Sequence, residues 1–251
     1  MTSPIDRIVS EFHANGFVII RDFMSEAEIQ QIELEIDNAF RKKSEAVKQG
    51  NIFFEDDQTT VRQVENLQRY EQYFTDVSQE KRYVDLFESF FGENPICINV
   101  SYMAKAAHIG SAVPAHQDNG YFNLIPNHAL TFWIALDECT EENGCLRVIP
   151  GSHRHGILPH KASGQVGNSS CLSEPPNPIE AGEVAVLLGR GDCSIHHVDT
   201  IHSSLANKSD HPRRGFLLTY QSVRCEVDPV GLTRHQKIVD EMHAKISVRR
   251  T

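Results

Sequence analysis

A series of short β-type segments between residues 95 and 222 constrains the fold of this chain more than any other feature. The segments follow one another without a helical stretch between them and are bounded by Gly, Asn or Pro; they read ICINVSYMA, ALTFWIALDE, GCLRVIPGS, GEVAVLLG, CSIHHV and RGFLLTYQS. They are rich in β-branched and aromatic residues, which favour strands. Strands in such a series pair antiparallel in a sandwich or a jelly roll. We therefore predict a mainly β fold with flanking helices, built on a double-stranded β-helix (jelly-roll, cupin-like) core.

The residues before this β region are mostly helical in pattern. Ser25 and Glu28 form a capping box ahead of a long amphipathic stretch, and FVII at 17–20 is the one apolar run of strand type. The polar segment 50–71 is harder to assign, and we interpret it as loop or edge structure that can fold over a pocket.

The sequence contains no repeat, low-complexity linker or break in composition that would mark a second domain. We therefore expect one domain over residues 1–251. Within it we expect a helical N-terminal region at 1–94, a jelly-roll core at 95–222 and a C-terminal helix at 223–251.

The charge and the cysteine pattern restrict the partners. A net charge of −10 argues against nucleic acid or an anionic membrane as the main partner, although a locally basic pocket can still hold a small anion. The six cysteines contain no CxxC pair, and the charged N-terminus does not resemble a signal peptide. We expect reduced thiols, a cytoplasmic location, a small-molecule substrate and a monomer or homodimer.

Two potential metal ligands occur at the start of the β region, in the stretch VPAHQDNGYF. His116 and Asp118 are two residues apart, so on an extended strand they point to the same face. The segment 189–220 adds four histidines and a pair of arginines. Two histidines and one carboxylate on a β scaffold form the open facial triad of non-haem iron(II) oxygenases. Zinc is a less natural occupant, because catalytic zinc more often recruits a third histidine or an HExxH helix, and HExxH is absent from the sequence.

Four blocks of sequence, in order, resemble the phytanoyl-CoA dioxygenase-like family of iron(II)- and 2-oxoglutarate-dependent oxygenases. They are FHANGFVIIRDFMSEAEI, HQD, WIALDECTEENGCLRVIPGSH and HSSLANKSDHPRR. The resemblance implies that His116 and Asp118 are the first two iron ligands and that His202 is the third. His202 opens the last motif of the family, whose other matching positions are Ser204, Asn207 and Arg213.

The neighbouring histidines offer an alternative to His202. His196 and His197 are adjacent, so on a strand they face opposite sides and only one of them can reach the metal. The family motif favours His202 over His197, which we expect to pack or to form hydrogen bonds near the site.

Strand parity separates the two adjacent arginines in the same way. The family pattern assigns Arg213 to the distal carboxylate of 2-oxoglutarate, with Ser204 as a second donor and Trp133 lining the same site. Arg214 is then a solvated surface charge. If the strand register slips by one residue, the two arginines exchange roles.

The resemblance also implies the reaction, which is hydroxylation of an unactivated C–H bond with release of succinate and CO2. Because Asp118 is present, we expect hydroxylation and not halogenation. Asn119, Tyr121 and Asn123 follow the ligands and could contact substrate near the mouth of the pocket. Basic residues elsewhere hint at an anionic or zwitterionic metabolite, such as an amino acid or a phosphonate; they are Arg62, Arg69, Lys105 and Arg154.

Three other functions remain open at this point. One is a cupin-type metalloenzyme that does not use 2-oxoglutarate, for which Arg213 would be dispensable and no succinate would form. Another is an acyl-CoA hydroxylase, and the third is a binding module that retains the fold without catalysis.

Overall fold

The computed structural model describes residues 3–41, 50–165 and 167–249, with side chains described up to residue 242. Helices make up much of its N-terminal region: α1 (Pro4–Asn15), α2 (Glu26–Arg41), α3 (Gln72–Val77) and α4 (Lys81–Phe91). α1 ends because Gly16 adopts a φ of 77°, a left-handed conformation that glycine accepts without strain. Ser25 and Glu28 bond to each other as a capping box at the start of α2, as predicted.

Two antiparallel sheets form the body of the protein. The larger sheet has the strand order β1-β12-β7-β14-β4-β3-β2 and the smaller one β11-β8-β13-β5. The strands of the larger sheet are β1 (Phe17–Ile20), β2 (Ile52–Phe54), β3 (Val61–Val64), β4 (Pro95–Lys105), β7 (Ala129–Ala135), β12 (Cys193–His197) and β14 (Arg213–Ser222). Those of the smaller sheet are β5 (Val113–His116), β8 (Leu146–Val148), β11 (Val184–Val186) and β13 (His202–Ser204).

Shorter elements complete the fold. The hairpin of β9 (His160–Gln165) and β10 (Asn168–Leu172) and the helix α6 (Pro229–Arg249) pack against each other. The helical turn α5 (Asn119–Phe122) follows β5, and β6 (Leu124–Ile125) pairs with β15 (Glu226–Val227). None of the described helices is both long enough and apolar enough to span a membrane.

Alternation along the strands of the larger sheet separates its two faces. On β14, Phe216, Leu218 and Tyr220 belong to the main apolar core with residues of α1 to α4. The alternate residues Leu217 and Thr219 line a cavity between the sheets instead. The larger sheet therefore has one face covered by helices and another that forms a wall of the cavity.

The six predicted β segments all contain strands, namely β4, β7, β8, β11, β12 and β14, and the jelly-roll core is confirmed. Two predicted boundaries need correction. Residues 1–94 are not helical throughout, because segment 50–71 supplies β2 and β3, which extend the edge of the larger sheet beyond β4. The C-terminal helix begins at Pro229 and not at 223, since Asp228 accepts hydrogen bonds from the first-turn amides of Val230 and Gly231.

Candidate metal and co-substrate site

Three side chains that the sequence singled out converge at the cavity. His202 on β13 lies opposite His116 on β5, and Asp118 follows β5 at the start of α5. Oδ1 of Asp118 is 3.6 Å from Nε2 of His116 and 3.5 Å from Nε2 of His202. One potential ligand atom from each residue lies within 4.8 Å of the other two, a spacing at which one ion can contact all three.

Backbone carbonyl groups set the orientation of both imidazoles. Nδ1 of His116 is 2.9 Å from the carbonyl oxygen of Pro114, and Nδ1 of His202 is 2.9 Å from that of Thr200. In each ring Nδ1–H can donate to the carbonyl oxygen, which leaves the lone pair of Nε2 directed at the common point. Such a second hydrogen bond commonly fixes the tautomer of a metal-binding histidine.

Electrostatics favour the protonation states that a metal needs. Burial lowers the pKa of His116, and burial together with His116 lowers the pKa of His202 to about 3, so both rings are neutral. Burial alone would raise the pKa of Asp118, but the histidines around it, His202 and His196 foremost, hold that pKa below its usual range. Two neutral nitrogens and one carboxylate are a donor set that fits a divalent transition metal.

His196, and not His197, lies beside the triad. Nε2 of His196 is 3.3 Å from Oδ2 of Asp118, which also accepts a hydrogen bond of 3.1 Å from the hydroxyl of Thr131. His197 lies on the helix-covered face of the sheet, with its ring near Phe12. The expectation that His197 packs near the metal site is wrong. The register is the reason, because His196 pairs with Thr131, whose side chain faces the cavity.

Arg213 also faces the cavity, which has a volume of about 580 Å³. Its Nε and Nη2 donate to the carbonyl oxygen of Gly144 at 3.0 and 2.6 Å, and its guanidinium lies 4.9 Å from the centre of the Trp133 ring. Ser204 lines the same cavity. The predicted strand parity is therefore correct, and burial lowers the pKa of Arg213.

Arg214 points to the helix-covered face of the larger sheet. The prediction that Arg214 is a solvated surface charge needs correction. Its guanidinium forms a bidentate pair with Asp137, with Nε–O and Nη2–O distances of 2.8 and 2.7 Å, and also lies 2.7 Å from Glu33 on α2. These partners raise the pKa of Arg214. Arg214 is thus a half-buried contact between the sheet and α2.

Lys105 lies at the same end of the cavity as Arg213. The two residues face each other in the register of β4 and β14, and Nζ of Lys105 donates to the carbonyl oxygens of Ser111 (2.6 Å) and Leu205 (2.7 Å). Burial, with Arg213 and Arg62 nearby, lowers the pKa of Lys105 to about 6. Lys105 is among the basic residues that, from the sequence, could contact an anionic or zwitterionic substrate.

Of the three residues predicted to follow the ligands at the mouth, Tyr121 alone lines the cavity. Its hydroxyl donates to the carbonyl oxygen of Ser170 at 2.8 Å. The side-chain oxygen of Asn119 accepts from the amide of Leu124, and the side chain of Asn123 donates to the carbonyl oxygen of Tyr121. Asn119 and Asn123 are therefore corrected to turn-stabilising residues, because the chain after Asp118 forms the helical turn α5 and not an open loop.

The basic residues divide between the cavity and other sites. Arg62 lines the cavity, donates to the hydroxyl of Ser111 and lies 3.5 Å from a carboxylate oxygen of Glu55. Arg154 donates to the carbonyl oxygen of Ala14 at the end of α1, and Arg69 is exposed. The hint drawn from Arg69 and Arg154 is therefore not supported.

Sequence reasoning missed one wall of the cavity. Alternate residues of β4 face the cavity, namely Asn99, Ser101 and Met103. Gln63 on β3 and Glu65 just after it add further polar groups to the same wall. The alternation Asn99-x-Ser101-x-Met103-x-Lys105 was a visible signal of period two. Val239 and Met242, on the C-terminal helix α6, also line the cavity.

A family model described as phytanoyl-CoA dioxygenase (PhyH) matches residues 12–215 of the chain. A phytanoyl-CoA dioxygenase of Arabidopsis thaliana is 27% identical over 242 residues, covering 82% of this chain and 85% of the relative. A probable alpha-ketoglutarate-dependent hypophosphite dioxygenase of Stutzerimonas stutzeri is 29% identical over 219 residues, covering 84% and 76%.

Solved structures with similar folds include EctD from S. alaskensis with 2-oxoglutarate and 5-hydroxyectoine. It aligns with a TM-score of 0.75 at 20% identity, over 92% of this chain and 83% of its own. The epimerase SnoN, in complex with Fe3+, alpha ketoglutarate and nogalamycin RO, aligns with a TM-score of 0.71 at 23% identity, over 92% and 88%.

Proposed function

The chain belongs to the phytanoyl-CoA dioxygenase family of non-haem iron, 2-oxoglutarate-dependent dioxygenases, and on that premise we propose that it hydroxylates a small anionic or zwitterionic metabolite. Iron(II), 2-oxoglutarate and O2 are the cofactor and co-substrates of this enzyme class. The residue roles and the primary substrate are the content of the proposal. The observation that carries it is the convergence of His116, Asp118 and His202 in one cavity with Arg213.

His116, Asp118 and His202 would hold the iron. Oδ2 of Asp118 is occupied by the hydroxyl of Thr131 and by His196, whereas Oδ1 faces Nε2 of both histidines. The carboxylate is therefore oriented before any metal arrives, with one oxygen free to bind it. When bound, the iron and 2-oxoglutarate supply the oxidation of the C–H bond, and 2-oxoglutarate is converted to succinate and CO2.

Arg213 would bind the distal carboxylate of 2-oxoglutarate, with the hydroxyl of Ser204 as a second donor. Its guanidinium is fixed between the carbonyl oxygen of Gly144 and the ring of Trp133, so little side-chain entropy is lost on binding. Planar, charge-assisted hydrogen bonds of this kind suit a carboxylate.

Matched arginine variants test the co-substrate assignment. We expect Arg213→Ala to raise the KM for 2-oxoglutarate by about tenfold or more, because it removes one partner of a buried charge pair. Arg214→Ala removes the same charge on the opposite face of the strand, and we expect it to leave that KM within about twofold of the wild type. Succinate formation is the readout. A cupin-type enzyme that does not use 2-oxoglutarate would form no succinate and would tolerate Arg213→Ala.

The substrate class is supported by the size and lining of the cavity. A volume of about 580 Å³ suits a small metabolite, and the polar wall of β3 and β4 offers several hydrogen-bonding groups. Screening acidic and zwitterionic metabolites for stimulation of succinate formation tests this component of the proposal. Stimulation by neutral compounds or acyl-CoA thioesters alone would contradict it and would favour the acyl-CoA hydroxylase alternative.

A further inference from the structure

We propose that Glu65 binds an ammonium group of the primary substrate, which makes that substrate a zwitterion or a cation and excludes a simple anion. This inference rests on the proposed function, because it narrows the substrate class of the same cavity. It adds a recognition residue that lies on the β3–β4 wall and not among the groups assigned to iron or 2-oxoglutarate.

The position of Glu65 is defined by the strands around it. The residue follows β3, and its backbone amide donates to the carbonyl oxygen of Asn51 at 2.8 Å, which fixes the chain there. Its side chain lines the cavity and accepts a hydrogen bond of 2.9 Å from the side-chain amide of Gln63. The carboxylate is therefore held at the wall and presented to the cavity.

The other charged groups of the cavity already have counterparts. Arg62 lies 3.5 Å from Glu55, and Asp118 is surrounded by three histidines. Arg213 and Lys105 lie where 2-oxoglutarate would bring its distal carboxylate. Within residues 3–41, 50–165 and 167–242, no Lys, Arg or His side chain lies within ion-pair distance of Glu65, and Gln63 supplies its one side-chain hydrogen bond.

An uncompensated, partly buried carboxylate is costly to maintain. Burial raises the pKa of Glu65, and among the residues that the structure describes no positive charge offsets the effect. A substrate ammonium group would supply the missing charge and up to three N–H donors at this partly buried carboxylate. A simple anion at the same wall would instead meet a like charge, so the wall discriminates between the two classes of substrate.

Pairs of compounds that differ only in the positive charge provide the first test. Suitable pairs are glycine betaine with 3,3-dimethylbutanoate, L-proline with cyclopentanecarboxylate, L-leucine with 4-methylpentanoate, and 2-aminoethylphosphonate with propylphosphonate. We expect an ammonium compound to stimulate succinate formation, with its nitrogen-free partner weaker by about tenfold or more. Equal stimulation by both members of a pair, or stimulation by the anions alone, would overturn the proposal.

Glu65→Gln provides the second test, because it keeps the shape of the side chain and removes its charge. We expect kcat/KM for the active ammonium compound to fall by about tenfold or more, with a matching rise in its Kd in calorimetric titrations without oxygen. Glu88→Gln is the control, since it removes the same charge from an exposed position on α4. An unchanged Kd in Glu65→Gln would overturn the proposal.

The visible absorption band of the iron(II)–2-oxoglutarate complex distinguishes a failure of the Glu65 proposal from a failure of the proposed function. If the absorption forms but no ammonium compound stimulates succinate formation, the role of Glu65 is wrong and the enzyme class stands. If the absorption does not form in the wild-type protein, the assignment of the site itself fails.

Discussion

At the scale of single residues, the potential metal ligands are fixed by bonds that the sequence pattern does not reveal. His116 and His202 each use Nδ1 to contact the carbonyl oxygen two residues earlier in the chain. The spacing of His116 and Asp118 predicted that these side chains would share a face, and the family motif pointed to His202. Neither pattern predicted that Thr131 and His196 would occupy the second oxygen of Asp118, because those contacts depend on how the two sheets face each other.

A neighbouring pair of histidines shows the limit of reasoning from parity. Parity required His196 and His197 to face opposite sides but could not say which faced the cavity. The pairing of His196 with Thr131 decides it, and that pairing is a long-range contact. Asn119 and Asn123 were assigned to the mouth for a similar reason, since a helical turn of four residues leaves little periodic signal.

His197 leads to a prediction about pH and stability in the metal-free protein. Burial lowers the pKa of His197 to about 3, below the value of about 6.5 in an unfolded chain. The unfolded state therefore gains a proton as the pH falls below about 6.5 and the folded state does not, so stability is complete above that pH and is lost below it. We expect His197→Gln to reduce the loss of unfolding free energy between pH 6.5 and 4.5 by about 2 kcal/mol.

Urea denaturation at several pH values measures this effect. His155→Gln is the control, because its side chain is exposed. The same pH dependence in His197→Gln and in the wild type would contradict the prediction.

At the scale of elements, the close approach of β14 and β7 positions Arg213, which we propose binds 2-oxoglutarate. A Cβ atom at Gly215 would lie 2.3 Å from the ring of Trp133, on which the guanidinium of Arg213 stacks. Glycine at this position allows the indole to lie across β14. The sequence predicted both strands, but it offered no indication that Gly215 and Trp133 would touch.

We therefore expect Gly215→Ala to displace Trp133 and to weaken the binding of 2-oxoglutarate several-fold. Overpacking of this kind also costs about 1–3 kcal/mol of stability. Equilibrium titration with 2-oxoglutarate and thermal denaturation measure the two effects. Adding Trp133→Leu should make room for the new methyl group and recover some of the lost stability, whereas strictly additive effects would argue against the contact.

Strands with strong apolar content were predictable, and polar strands were not. β4, β7 and β14 carry runs of apolar residues, and each was found where the sequence placed it. β2 and β3 lie in a polar segment that reads as loop or edge, and they become strands because β4 offers them a free edge. The polar hairpin of β9 and β10 was missed because composition gave no signal for it.

At the scale of the whole molecule, the candidate site joins the two sheets. His116 and His202 belong to the smaller sheet, while Arg213, Thr131 and His196 belong to the larger one. We propose that the chain folds as a single domain, because both sheets contribute to one cavity.

Metal and co-substrate should therefore stabilise the entire fold. At concentrations of about 100 times Kd, a ligand that binds the folded state alone adds about 2.7 kcal/mol, which corresponds to roughly 5–10 °C in Tm for a chain of this size. We expect this shift in anaerobic calorimetry when iron(II) and 2-oxoglutarate are added, and its reversal when a chelator removes the metal. Asp118→Ala should lose the shift; a similar increase in Tm in that variant would indicate metal binding elsewhere.

The most direct test of the site is an anaerobic titration of the metal-free protein with iron(II) and 2-oxoglutarate, followed by visible absorption. We expect a weak charge-transfer band in the wild type and in Arg214→Ala, and no band in His202→Ala. A wild-type protein without the band, or a His202→Ala variant that retains it, would contradict the assignment of His116, Asp118 and His202 to the iron.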